Sequence, residues 1–205
     1  MERRVFFFDY PGSQNTDHVL KVVRDRLKEG DVEKVLVASE SGHLALKVKD
    51  AFPEKTVVCV TYDKYTRCKY NKPELMRKEL DERGVIVVDS IREPLSRELV
   101  FRNWWINRTV KMKGEEADLF WMTLICVGGH GFRTAVEIVF MAVEAGIVKV
   151  GEKVVSIAGT GWGADSAIVM KGSRFEDTVG ERPEKRMKIE EILAMPKRTE
   201  WAGYG

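Results

Sequence analysis

Cysteine is scarce in this chain of 205 residues: Cys59, Cys68 and Cys126 form neither a paired disulfide framework nor a Cys-x-x-Cys metal motif. Cys59 and Cys126 sit in apolar runs, so the three read as reduced thiols of a cytoplasmic protein. A targeting segment is not visible either. The stretch 5–8 ends at Asp9, too short for a signal sequence or a membrane span. No charge of one sign dominates, since 34 Lys and Arg face 32 Asp and Glu for a formal net charge of +2. That excludes the strong basic field on which non-specific nucleic-acid binding rests. His18 has no Cys, His or acidic cluster of metal-ligand spacing beside it beyond Asp17, and no metal site is expected. A single glutamine, Gln14, beside abundant Glu, Lys and Arg matches thermophile proteins, where labile amides are avoided and ion-pair networks gain value.

What is present is a chain 44% hydrophobic, enough for one well-buried core, and residues 1–205 are read as a single domain. Residues 5–8 read as a strand. Asn15 or Thr16 can cap a helix in which Val19, Val22, Val23 and Leu27 recur at helical spacing before Gly30. Residues 33–39, 56–61 and 85–90 read as further strands, and 33–39 is nearly continuously apolar in its centre, as strands covered on both faces are. Between them fall a helical stripe of Leu44, Ala45, Val48 and Phe52, and a helix opened by Pro73 with Leu75, Met76 and Leu80 on its face. This alternation predicts a parallel sheet.

After Pro94 the alternation stops, and residues 95–109, 117–127 and 134–145 read as helices separated by glycine breaks. Residues 154–158 and 166–170 are strands too close together for a helical crossover, which predicts an antiparallel hairpin. Residues 173–188 read as a solvated loop, and 192–196 as an edge strand. The expected fold class is α/β, a three-layer sandwich whose mainly parallel sheet carries a C-terminal antiparallel hairpin.

Two loops carry the candidate chemistry. In GTGWGAD, residues 159–165, the spacing Gly159, Gly161, Ala164 satisfies Gly-x-Gly-x-x-Ala. The dinucleotide fingerprint must open a helix, whereas the SAIVMK that follows is β-branched, short and stopped by Gly172. No Gly-Lys-Ser/Thr follows any glycine cluster, which excludes a Walker A loop. Two readings remain: a backbone nest whose N–H groups converge on an anion beside the Thr160 and Ser166 hydroxyls, or a hairpin loop whose glycines only permit positive φ. SESGH, residues 39–43, lies between a strand and its helix, where N–H groups and the Ser39 and Ser41 hydroxyls favour an anion. Its plainer reading is an ordinary helix N-cap. Two donor-rich loops together argue for a ligand, because open α/β sheets bind ligands outside the carboxyl ends of their strands.

SESGHLA and VVSIAGTGWGADSAIVM together resemble the C-terminal α/β domain of pyruvate kinase, where a Ser/Thr-x-Ser-Gly-x-x-Ala loop and a late glycine-rich hairpin loop hold the phosphates of an allosteric sugar bisphosphate. With FDYPGSQNT and AVEIVFMAVEAGIVKVGEKVVSIAGTGWGADSA, the chain over residues 5–196 is similar to a small family of free-standing archaeal proteins of pyruvate kinase C-terminal-like fold, uncharacterised in activity. The resemblance implies a phosphorylated small molecule, flavin mononucleotide (FMN) as its cofactor, and self-association into a homo-oligomer. It places Ser39, Ser41 and Gly42 on the phosphate loop, and Thr160, Gly161, Gly163 and Ala164 on the hairpin loop. Trp162 stands where the family would carry an arginine, a cation that His43 or Arg133 can replace. Nothing resembles the catalytic barrel of pyruvate kinase, so kinase chemistry is not carried over.

Further residues join the candidate site from the sequence itself. In VGGHGFRTAVE, His130, Gly131 and Arg133 read either as a ligand-lining turn or as a helix connection with an i,i+4 pair of Arg133 to Glu137. Thr61 and Tyr62 end the third strand, where Tyr62 can stack on a flat ring and Thr61 can bond its polar edge. The DKYTRCKYNK that follows is a cover for the ligand or a polar surface loop. Asp165 either accepts a hydrogen bond from a ligand hydroxyl or ties down its own loop. Trp104 and Trp105 occupy adjacent helical positions, suited to a subunit contact, a pocket wall or core packing. The function expected is small-molecule binding. Alternatives are a flavin-dependent oxidoreductase, in which the cofactor supplies the chemistry, and a partner-binding regulatory subunit.

Overall fold

The computed structural model describes residues 4–62, 64–69, 71–91, 114–178 and 182–198. Their strands are β1 (Phe6–Phe8), β2 (Lys34–Ala38), β3 (Thr56–Tyr62), β4 (Ile86–Ile91), β5 (Lys153–Ala158), β6 (Ser166–Lys171) and β7 (Lys188–Pro196). They form one sheet in the order β1-β7-β6-β5-β2-β3-β4. The β2–β3, β2–β5, β3–β4 and β1–β7 pairs are parallel; β6 runs antiparallel to β5 and to β7. The mainly parallel sheet with its late antiparallel hairpin is the one the sequence pattern predicts.

Alternating side chains divide the core into two. Val35 and Val37 of β2, with Val57, Cys59, Val155 and Ile157, face helices α1 (Thr16–Leu27), α2 (His43–Ala51) and α4 (Arg77–Glu82). Leu36, with Val58, Val60, Val154 and Ala158, faces α5 (Gly114–Glu144). Both faces of the central strands are covered, so their apolar runs are continuous and the architecture has three layers. Inside α5, Gly129 takes φ 80° and ψ −174°. The rings of Trp121 and Phe140 lie 6.3 Å apart, whereas nineteen residues of straight helix span about 28 Å. The chain therefore reverses at Gly129, and α5 is two packed arms, as the glycine break predicts. Ser156 on β5 donates to the Ala135 carbonyl at 2.6 Å and fixes the second arm to the sheet. Residues 119–144 are long and apolar enough by composition to cross a membrane, but 67% of their 18-residue apolar window is buried, the condition of a core helix.

Several expectations are corrected. The segment after β3 contains a helix, α3 (Lys64–Lys69), rather than a bare loop. The helix expected from Pro73 starts at Arg77, because the Pro73 carbonyl accepts from Arg67 and the Met76 amide donates to the Ser41 carbonyl at 2.9 Å. β7 is not an edge strand, since β1 covers it. Residues 173–178 are not simply solvated: Phe175 is buried and stacks on Trp121 at 5.4 Å. The helix expected over residues 95–109, with Trp104 and Trp105, lies outside the described residues.

Candidate anion-binding rim

Parallel pairing decides where the two loops go. Val37 of β2 stands opposite Ile157 of β5, so the chain leaves both strands at the same end of the sheet, in adjacent positions. The SESGH and GTGWGAD loops therefore share one rim. The β3 end joins them through Thr61, whose hydroxyl donates to the Glu40 carbonyl at 3.3 Å. The turn of α5 joins through Gly131, whose amide donates to the Thr160 hydroxyl at 3.3 Å. The loop after β1 joins through the Gly12 amide, which donates to Asp165 at 3.0 Å. Ser39 to His43 and Thr160 to Asp165 make up the two loops, Tyr62 follows Thr61, and Arg133 stands two residues after Gly131.

Their roles differ. Asp165 is fully buried, and its carboxylate accepts from the Gly12 amide, the Thr160 amide at 2.9 Å and the Ser166 hydroxyl at 2.8 Å. It ties three segments together, which is the second of the two readings given for it. Gly131 is the residue that permits this approach: a Cβ there would sit 2.1 Å from the Asp165 carboxylate. Ala164 is also structural, its amide donating to the Thr16 hydroxyl at 3.0 Å. The Thr160 amide is thus spent inside the protein. The amides of Gly161, Trp162 and Gly163 have no acceptor among the described residues, with Gly161 at φ 81° and Gly163 at φ 74°. Trp162 is 70% exposed at the loop tip.

At the other loop, the Ser39 hydroxyl accepts from the Gly42 amide at 3.1 Å. Gly42 sits at the N-cap of α2 in the left-handed region, φ 99°, so the capping is done by glycine and not by either serine. The Ser41 hydroxyl has no hydrogen-bond partner among the described residues, although Ser41 is only 9% exposed. The amides of His43, Leu44 and Ala45 open the helix and likewise find no acceptor among the described residues. His43 itself is exposed.

Arg133 and Tyr62 stand beside the two loops. Arg133 pairs with Glu137 at 3.1 Å and lies over the Trp121 ring at 5.1 Å, so its charge is already engaged. Burial raises the Glu137 carboxyl above its usual range even with Arg133 beside it. Tyr62 is half-buried, and Lys72 stands over its ring at 5.2 Å. Burial, followed by the negative charges of Glu40 and Glu137, pushes the Tyr62 phenol up, so it stays protonated at neutral pH. A cleft of about 400 Å³ between α5 and β7 contains none of the rim residues, and its polar lining is Glu190 and Glu191, groups that disfavour an anion.

Sequence reasoning missed Arg67, Thr16 and Gly12, which shape the rim from segments with no motif. The signal in hand for Thr16 was its place at a helix start; for Arg67 there was none beyond a basic residue after β3. With this geometry in view, a family model described as pyruvate kinase, alpha/beta domain, matches residues 17–171 of the chain.

Proposed function

The chain belongs to the pyruvate kinase alpha/beta domain family, and from that premise we propose that its rim binds a phosphorylated small molecule, with FMN the leading ligand. The observation that carries this reading is the set of donors on two adjacent loops without internal acceptors: the Ser41 hydroxyl, the amides of His43, Leu44 and Ala45, and those of Gly161 to Gly163. A terminal phosphate carries the acceptor oxygens and charge that such amides and a helix N-terminus favour. The carboxylates of the two loops are already engaged: Asp165 is sealed under the hairpin loop by its own three donors, and Glu40 pairs with Lys72 at 3.0 Å.

The residues also fit the remainder of a flavin. Tyr62 offers one ring face beside Thr61, and Trp162 offers an exposed aromatic surface at the hairpin tip. A bound flavin supplies electron transfer; the chain's part is to hold the phosphate and shield the ring. The rim presents a ligand-holding donor set, so the reading is a binding module, in a homo-oligomeric cytoplasmic protein by analogy with the family. The test is the visible spectrum of freshly purified protein, with mass spectrometry of what it releases on denaturation. A released phosphorylated compound with flavin absorbance supports the reading. A protein that releases none, and that binds no added FMN or phosphate, contradicts it.

A further inference from the structure

Among the described residues, Arg67 is the one cation at the rim that is buried and has no carboxylate partner. It is 9% exposed. Its Nε donates to the Tyr62 carbonyl at 3.1 Å, one terminal nitrogen to the Pro73 carbonyl, and the other to the Thr61 hydroxyl. All three acceptors are neutral. The acidic groups among the described residues whose charges reach it are engaged elsewhere: Glu40 with Lys72 at 3.0 Å, and Asp89 with Arg77. A guanidinium has five N–H donors, so two remain after these bonds. Burying a charge without a counter-charge is costly, and proteins pair such groups.

The missing counter-charge is expected close by. The Thr61 hydroxyl that accepts from Arg67 donates onward to the Glu40 carbonyl, and the Met76 amide beyond α3 donates to the Ser41 carbonyl. Arg67 therefore underpins the backbone of residues 40–41, the strand of the SESGH loop that carries the unpartnered serine. The hairpin loop brings Trp162 and no cation to this rim, and Arg133 is neutralised by Glu137. Arg67 is what is left.

We propose that Arg67 is the counter-charge of the bound anion, neutralising the ligand's phosphate from beneath the 39–42 loop. This rests on the phosphate-binding reading above and adds to it the identity of the cation. It predicts that the site selects ligands by charge as well as shape, so that a dianionic phosphate monoester binds more tightly than a monoanionic diester of equal size.

The experiment is a titration of inorganic phosphate into ligand-depleted protein, read as the rise in melting temperature, for wild type, Arg67→Met, Arg67→Lys and Ser41→Ala. The proposal expects Arg67→Met to weaken phosphate binding at least about tenfold, Arg67→Lys to recover most of that loss, and Ser41→Ala to weaken it about threefold. If Ser41→Ala weakens binding while Arg67→Met binds as wild type does, the assignment of Arg67 is overturned and the phosphate site stands. If wild type shows no response to phosphate or to FMN, both fall. Should Arg67→Met not fold, the guanidinium N–H resonance of Arg67 in the wild-type protein decides. A shift that saturates with phosphate supports the proposal, and a resonance unmoved at saturation overturns it.

Discussion

The two ends of the sheet treat charge in opposite ways. At the amino ends of the parallel strands, Arg26 is buried and bonds Asp31 at 2.7 Å and Glu191 at 2.8 Å. Around it Lys153 bridges Asp31 and Glu190, and Lys34 pairs with Glu152 at 2.7 Å. At the carboxyl ends, Arg67 is almost equally buried but meets only neutral oxygens, beside amides and a serine hydroxyl without acceptors. One end closes its electrostatics internally and so contributes stability. The other leaves donors and a charge in surplus, an arrangement that a bound anion completes.

That contrast can be broken at several points. The largest effect is expected from Arg26→Met, which takes the buried cation away from Glu191, while the exposed Asp31 keeps Lys153. It should lower unfolding free energy by about 3–5 kcal/mol in a urea titration, with phosphate affinity unchanged. Asp165→Ala should cost roughly 2–4 kcal/mol by orphaning the Gly12 and Thr160 amides and the Ser166 hydroxyl. Because it also loosens the hairpin loop, phosphate binding should fall with stability, which separates it from Arg26→Met.

Acid should dissolve the closed end first. Hydrogen bonds from Arg26 and then Lys153 hold the Asp31 carboxyl below its ordinary value of 3.8. A depressed folded-state value means this stabilisation is complete above the unfolded value and is lost as pH falls through the folded one. Melting temperature should therefore decline below about pH 4, and Asp31→Asn should flatten that limb of the profile. Arg67→Met should cost less than Arg26→Met, about 1–2 kcal/mol without ligand, since it orphans three neutral acceptors but also removes a buried charge that lacks a counter-charge. The smallest effect belongs to Trp162→Ala, which should leave stability within about 0.5 kcal/mol but weaken FMN several-fold relative to inorganic phosphate, measured by flavin fluorescence.

The architecture, an open sheet covered on both faces, was readable because such strands leave continuous apolar runs, as in residues 34–38 and 56–61, and because residues 159–165 are too few for a helical crossover. Glycine marked the reversal at Gly129, whereas the N-cap of α2 was expected at Ser39 or Ser41 and falls on Gly42. The helix start at Arg77 was hidden, since what holds residues 73–76 extended is tertiary: Arg67 on the Pro73 carbonyl and the Met76 amide on Ser41. The two loops of the rim were found by their donors. The part played by Asp165 was not decidable, because its partner Gly12 stands 153 residues away. Arg67 lies in the six-residue helix α3, too short to show a periodic pattern, and its isolation from carboxylates exists only in three dimensions.

The central claim is that the rim grips a phosphate. FMN and riboflavin differ by that group alone, so the most direct test is their relative affinity for the desalted protein, measured by quenching of flavin fluorescence. The account predicts saturable FMN binding at least about a hundredfold tighter than riboflavin, the equivalent of two or more charge-assisted hydrogen bonds. Equal affinity for the two flavins would contradict it.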